Sequence, residues 1–251
     1  MNTTNMNRLP VPTWNQCGVN AAPEAAALPE LSGNDWGEAN FAVTLPAGVG
    51  ESEEEFTAFA ESGMGTETDA FLQENATVRH ALTVAEGVQV EHPAVFEFTL
   101  DAGRPNALSV LDVEAKANSS LTLVQVVRGD AENGISAGLV RIRAAEGAQV
   151  KLVQVQMLGS HARHWGAVAI EESTSAKVEQ VRIVLGGTVA ACGARAMLDH
   201  AKAEYDLDAV YFGGQDAVLD FNDVSVHTAK DTLCEMHTAG VLTGNASKIL
   251  R

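Results

Sequence analysis

"EGAQVKLVQVQMLG", residues 146–159, is the stretch on which the fold turns. It opens on a small polar turn, runs through an alternating strand and closes on Gly159. Four other stretches lie in register with it: "NSSLTLVQVVRG" (118–129), "STSAKVEQVRIVLGG" (173–187), "HAKAEYDLDAVYFGG" (200–214) and "AKDTLCEMHTAGVLTG" (229–244). The closing glycines are Gly129, Gly159, Gly187, Gly214 and Gly244, separated by 30, 28, 27 and 30 residues. A period that regular marks a repeat in which no unit can bury its own apolar face, so the units must stack.

Parity says how they stack. Leu121, Leu123 and Gln125 alternate with Thr122, Val124 and Val126, which sends one set of side chains into a bore and the other outward. The fold class read from this is all-β, a right-handed parallel β-helix, with a β-sandwich as the less regular alternative. The Ala-rich "ACGARAMLDHAKAEYDL" (191–207) invites a helix, but its place in the period makes it strand, turn, strand. The expected organisation is an irregular N-terminal region over residues 1–76 and a β-helix domain over 77–251. Pro10, Pro12, Pro23 and Pro29 punctuate the first region. Its one short helix is expected at "ESEEEFTAFAES" (51–62), capped by Ser52, with Glu53, Glu54 and Glu55 at the positive end of the dipole and Phe56 and Phe59 on one face. At the other end, Arg251 follows the last closing glycine by seven residues, leaving an open strand edge for a partner or for further chain to cover.

Composition narrows the function. Sixteen Lys and Arg against 33 Asp and Glu give a formal charge of −17, which argues against nucleic acid and anionic membrane surfaces as partners. No segment has the length or hydropathy of a signal peptide or a membrane span, so a cytoplasmic location is expected. Cys17, Cys192 and Cys234 do not form a disulfide framework and are expected as reduced thiols.

The last unit, "HTAKDTLCEMHTAGVLTGNASKILR" (227–251), resembles the SufB/SufD family of iron–sulfur cluster assembly proteins in Ala239, Gly240, Val241 and Leu242 followed by Gly244, Ala246 and Arg251. "RLPVPTWNQCGVN" (8–20) is similar to the amino-terminal signature of the shorter SufD-like members, "VAEGVQVEHPAVFEF" (84–98) to the family's entry strand, and "HARHWGAVAIEESTSAKVEQVRIVLGG" (161–187) to its middle coils. The match is closer to SufD than to SufB. The resemblance implies a non-enzymatic β-helix scaffold that acts with a SufC-type ATPase and a SufB-type partner, or with itself as a homodimer. It implies no resident cofactor beyond a transient iron–sulfur cluster at a complex interface. It also implies that the family's remaining coils, cluster-related positions and ATPase-docking segment would lie beyond Arg251.

Among residues with chemistry to offer, His227, Cys234 and His237 are the metal candidates, being soft ligands within eleven positions. Parity opposes their convergence: residues 234 and 237, and residues 227 and 234, are an odd number apart and point to opposite faces of a strand. The simpler assignment is a turn histidine at 227, an inward Cys234 and an outward His237. His161 and His164 are expected at a coil corner, and Cys192 among small residues as an inert thiol. Asp199, Asp206, Asp208, Asp216, Asp220 and Asp223 keep open the alternative of a carbohydrate-active β-helix enzyme. Aromatic residues are only 5% of the chain, few for stacking sugar rings, and no nucleophile elbow, phosphate loop or dinucleotide fingerprint is present. No catalytic residue is assigned, and a plain interaction solenoid is the third possibility.

Overall fold

The computed structural model describes residues 36–52 and 56–251. The strands are β1 (Phe41–Thr44), β2 (Val49–Ser52), β3 (Val78–Val84), β4 (Ala94–Leu100), β5 (Asn106–Ala115), β6 (Ser120–Gly129), β7 (Ile135–Ala144) and β8 (Gln149–Leu158). They continue as β9 (Arg163–Glu172), β10 (Lys177–Leu185), β11 (Val189–Leu198), β12 (Glu204–Gly213), β13 (Val218–His227), β14 (Leu233–Leu242) and β15 (Ser247–Leu250), and the helix α1 spans Thr66–Asn75. Alternate strands fall into two sheets. Sheet A runs β1-β4-β6-β8-β10-β12-β14 and sheet B runs β15-β13-β11-β9-β7-β5-β3-β2. From β3 to β15 every pairing is parallel, so the chain climbs as a β-solenoid of about six turns, each turn giving one strand to each sheet.

The five repeat units are β6, β8, β10, β12 and β14, and the segment 191–207 is strand, turn, strand as its place in the period requires. Each closing glycine sits at the corner where the chain leaves sheet A for sheet B. The return corner places one residue per coil in the left-handed region, namely Gly87, Asn118, Gly147, Ser175, Lys202 and Asp231. Between the sheets, Leu121, Leu123, Val150, Leu152, Val178 and Leu207 of sheet A meet inward residues of sheet B such as Leu111, Val140, Ile142, Val168 and Ile170. All are buried, and at about 25 cal/mol per Å² of apolar surface this interior is the main favourable term in folding.

The N-terminal region departs from expectation. The helix is α1, not 51–62: Ser52 ends β2, Glu53–Glu55 lie outside the described residues, and residues 56–65 are non-helical. Charged side chains of sheet B capture this backbone before it can bond to itself. Phe56 N–H donates to Asp112 Oδ2 (2.9 Å) and Ala60 N–H to Glu171 Oε1 (2.9 Å). Arg141 donates to Phe56 O (2.9 Å) and Arg143 to Ala58 O (3.2 Å). Phe56 and Phe59 stack at 5.1 Å, with the Arg143 guanidinium 4.5 and 5.2 Å from their ring centres. A helix here would lose these contacts, and cation–π pairing adds to them.

α1 and residues 56–64 cover the outer face of sheet B, where Trp36, Met64, Phe71 and Leu72 pack on Leu108, Leu139 and Trp165 in a second apolar layer. β1 and β2 pair antiparallel with β4 and β3, closing the N-terminal edge of both sheets. The early prolines and Cys17 lie outside the described residues, and among those residues no helix is long and apolar enough to cross a membrane.

Candidate functional site

Inward parity places a connected polar set inside the solenoid, flanked by the apolar core. On sheet A it is a ladder across four strands. The Tyr205 hydroxyl donates to Gln180 Oε1 (2.7 Å), Gln180 Nε2 to Gln154 Oε1 (2.9 Å) and Gln154 Nε2 to Gln125 Oε1 (3.0 Å). Next to it, Gln156 bridges backbone by accepting from Leu185 N–H (3.1 Å) and donating to Gly186 O (3.1 Å). Opposite, on sheet B, stand Ser136, His164, Cys192 and Asp223. Arg182 reaches across from β10 to β13 and donates two hydrogen bonds to Asp223 (2.8 and 3.0 Å), which also accepts from Ala194 N–H (3.1 Å). Removing either partner of a buried bidentate pair of this kind would leave an uncompensated charge inside the solenoid.

At the centre lies a cavity of about 20 Å³, room for a single water, lined in part by Gln125, Gln154, Gln156, His164, Arg182 and Cys192. Gly166 keeps it open: a Cβ there would meet His164 Nε2 at 3.1 Å and Cys192 Sγ at 3.5 Å. Imidazole and thiol therefore face the same small space. Burial first, and then the nearby Arg182 charge, lowers His164 to about 4, so its ring is neutral at physiological pH. Burial raises Cys192 to about 11, a shift the Arg182 charge only partly offsets. Burial also raises the Tyr205 hydroxyl well above its ordinary value. The Arg182–Asp223 pair is thus surrounded by neutral donors and acceptors. This set fixes the coils in register and holds Cys192 as a thiol, which is neither a nucleophile nor a metal ligand in that form.

One further buried group stands apart. Glu172, at the inner end of β9, is 1% exposed and neither carboxyl oxygen accepts a well-aligned hydrogen bond. Burial raises its carboxyl to about 9, the pull of the Val178 N–H countering only part of that, while Asp206 and Glu204 push the same way as burial.

The residues singled out in the sequence are dispersed. His227 ends β13 on the surface, where its ring nitrogens contact Thr232 Oγ1 (2.8 Å) and Ser225 Oγ (3.1 Å). Cys234 points inward from β14 against the core, its thiol raised by burial. His237 points outward, with Nδ1 3.4 Å from Asp208 Oδ1. Among the described residues, no three His, Cys, Asp or Glu side chains are grouped so as to hold a metal ion. His161 is in a corner turn against Asp130 (2.7 Å), but His164 is in β9, three residues on and inside the solenoid, which corrects its expected place at the corner. The six aspartates do not converge either. Asp206 and Asp208 are on the outer face of sheet A, Asp199 and Asp216 in turns, Asp220 is paired with Arg251, and Asp223 lies inside.

Sequence reading passed over Arg182, the glutamine ladder and Glu172. Their signal was available as polar residues at inward positions of an alternating strand: Gln125 and Gln154 recur one coil apart, and Arg182 interrupts "VEQVRIV" where an apolar residue is due.

No curated protein matches the chain. Residues 98–251, most of the solenoid from the end of β4 onward, match the family described as "SUF system FeS cluster assembly, SufBD core domain". With a parallel solenoid as its fold and well over half the chain matched, the protein belongs to the SufBD core-domain family.

Proposed function

We propose that this chain is a SufD-like, non-enzymatic scaffold subunit of SUF iron–sulfur cluster assembly, working in the cytoplasm with a SufC-type ATPase and a SufB-type partner, and that the cluster is cargo rather than a resident cofactor. The family match carries the pathway. The state of the thiols carries the scaffold role. Cys192 is enclosed and its thiol is pushed up to about 11 by burial, and the Cys234 thiol is likewise raised by burial, so at neutral pH both described cysteines are in the form least suited to accepting sulfur or binding iron. A subunit of this kind acts through contacts, and the SufD-like N-terminal signature supports that assignment.

Co-expression with a SufC-type ATPase and a SufB-type protein tests the reading. The chain is expected to co-purify with both, and Cys192→Ser is expected to leave cluster formation by the assembled complex unchanged. Failure to bind either partner, or loss of cluster formation in Cys192→Ser with the complex intact, overturns it. Lytic activity of the chain on an acidic polysaccharide would favour the carbohydrate-active alternative instead.

A further inference from the structure

Where the chain turns from sheet A to sheet B, the corners are unequal. Residues 101–105 and 130–134 form five-residue corners, 159–162, 214–217 and 243–246 form four-residue corners, and 186–188 forms one of three. Gly186 and Gly187 allow the short cut. Their φ angles are 111° and 84°, a Cβ on Gly186 would overlap Leu158 O, and one on Gly187 would stand 3.0 Å from Gln156 Nε2. Coils repeat about every 4.8 Å, so the two flanking corners stand about 10 Å apart over the recessed one. The notch between them has a volume of about 430 Å³, within the usual range for small-ligand sites.

The walls of the notch are chemically mixed. Ser160 and Thr188 bring hydroxyls, the glycines bring bare backbone, and Phe212 and Asp216 bring a ring and a carboxylate. The Phe212 ring folds back from its strand over its own corner, since a Cβ on Gly214 would lie 3.4 Å from its Cε1 and 3.6 Å from its Cζ. It is 45% exposed, and among the described residues it has no ring partner and no cation over it. Asp216 Oδ1 accepts from Asn245 Nδ2 (2.9 Å), and no described Lys, Arg or His side chain pairs with this carboxylate.

Elsewhere in this chain a ring and a carboxylate come with an arginine that serves both. Arg143 lies 4.5 Å from the Phe56 ring centre and 2.9 Å from Glu171, and Arg182 lies 5.6 Å from the Phe221 ring centre and 2.8 Å from Asp223. A guanidinium suits such a pair because its flat face stacks on the ring while its edge donates to the carboxylate. Phe212 and Asp216 offer the same two groups without a cation of the chain's own, on a protein whose charge of −17 concentrates cations at its surface. We propose that the notch over Gly186 and Gly187 binds a guanidinium group from outside the chain, stacked on Phe212 and hydrogen-bonded to Asp216.

Fluorine NMR of the purified chain carrying para-fluorophenylalanine tests this, the Phe212 signal being assigned by its loss in Phe212→Leu. Nα-acetylarginine amide, added at constant ionic strength, should move that signal saturably in the millimolar range, the scale a single side chain in a small site supports. The lysine counterpart has the same charge without the planar fork, and the citrulline counterpart the same shape without the charge, so both should move it far less. Asp216→Asn should weaken binding of the arginine compound roughly fivefold while leaving the other fluorine signals in place. A capped Gly-Arg-Gly peptide that binds more tightly than free arginine would assign the guanidinium to a loop of a partner protein, and the reverse order to a free small molecule; either result supports the site. A Phe212 signal unmoved at about 20 mM, moved equally by the lysine or citrulline compound, or moved with equal affinity in Asp216→Asn would overturn the proposal.

Discussion

Glu172 shows how one side chain sets a pH dependence for the whole fold. In the unfolded chain its carboxyl titrates near 4.5, and in the native state near 9, chiefly because burial disfavours the charged form. Below 4.5 both states keep the proton and the group is neutral to stability. Between 4.5 and 9 the unfolded state gives it up and the native state does not, so stability falls as pH rises, by up to about 1.4 kcal/mol per pH unit. His164 acts in the opposite direction: with its native value lowered to about 4 from 6.5, it removes stability as pH falls through that interval. Urea unfolding of the chain at pH 5 and pH 8 should therefore show a loss at the higher pH that Glu172→Gln abolishes or reverses, because the His164 contribution, which favours the higher pH, then acts unopposed. An unchanged difference in the variant would mean that the carboxyl is ionised in the native state. Neither group was legible as a pH-sensitive site, because their shifts depend on enclosure by other coils, and a histidine three residues past an exposed one gives no sign in sequence that it has crossed to the inside.

At the scale of elements, parity made the strands legible and tertiary capture hid the helix. An alternating strand satisfies its backbone with its neighbours and its side chains by facing, so its pattern survives in the sequence. Residues 56–60 bond instead to Asp112, Arg141, Arg143 and Glu171, which lie 56 to 111 positions away from them in the cited pairs, and no local pattern reports that. The seating of this segment depends on a close approach of backbones. A Cβ at Gly193 would stand 2.5 Å from the carbonyl carbon of Gly63 and 2.7 Å from Met64 N, well inside contact distance. Asn222 Nδ2 donates to Gly63 O (2.7 Å) and holds the approach. Gly193→Ala should therefore lift residues 60–65 from sheet B while leaving the solenoid in place, since the substituted position faces outward. Limited proteolysis is the measurement: cleavage between β2 and α1 should rise strongly in the variant, with the fragment from β3 onward resistant. Equal resistance of variant and parent would show that the neighbouring backbone shifts to accommodate the methyl group.

For the molecule as a whole, a period near 29 residues determined the architecture before any strand was placed, because a stack of coils is the arrangement in which units of that length bury their apolar face. The same stacking concentrates charge. Thirty-three carboxylates against 16 cations are spread over a rod whose coils are only about 4.8 Å apart, so acidic side chains recur at short intervals along its surface. Local pairs relieve part of this: Lys177 lies 2.8 Å from Asp206 and 3.2 Å from Glu179, and Arg143 lies 2.9 Å from Glu171. Exposed pairs of this kind contribute about 0–1 kcal/mol each and, at contact distance, are screened less than repulsion acting over 10 Å or more. The unpaired excess acts over those longer distances, and unfolding lets it spread apart. Raising salt from about 0.01 M to about 0.15 M shortens the screening length from about 30 Å to about 8 Å and removes most of the long-range repulsion while leaving contact pairs in place. The melting temperature at pH 7, followed by circular dichroism, should accordingly rise over this range and change much less above it. A melting temperature that falls with salt would show that the ion pairs along the coils outweigh the net charge of −17 in holding the solenoid together.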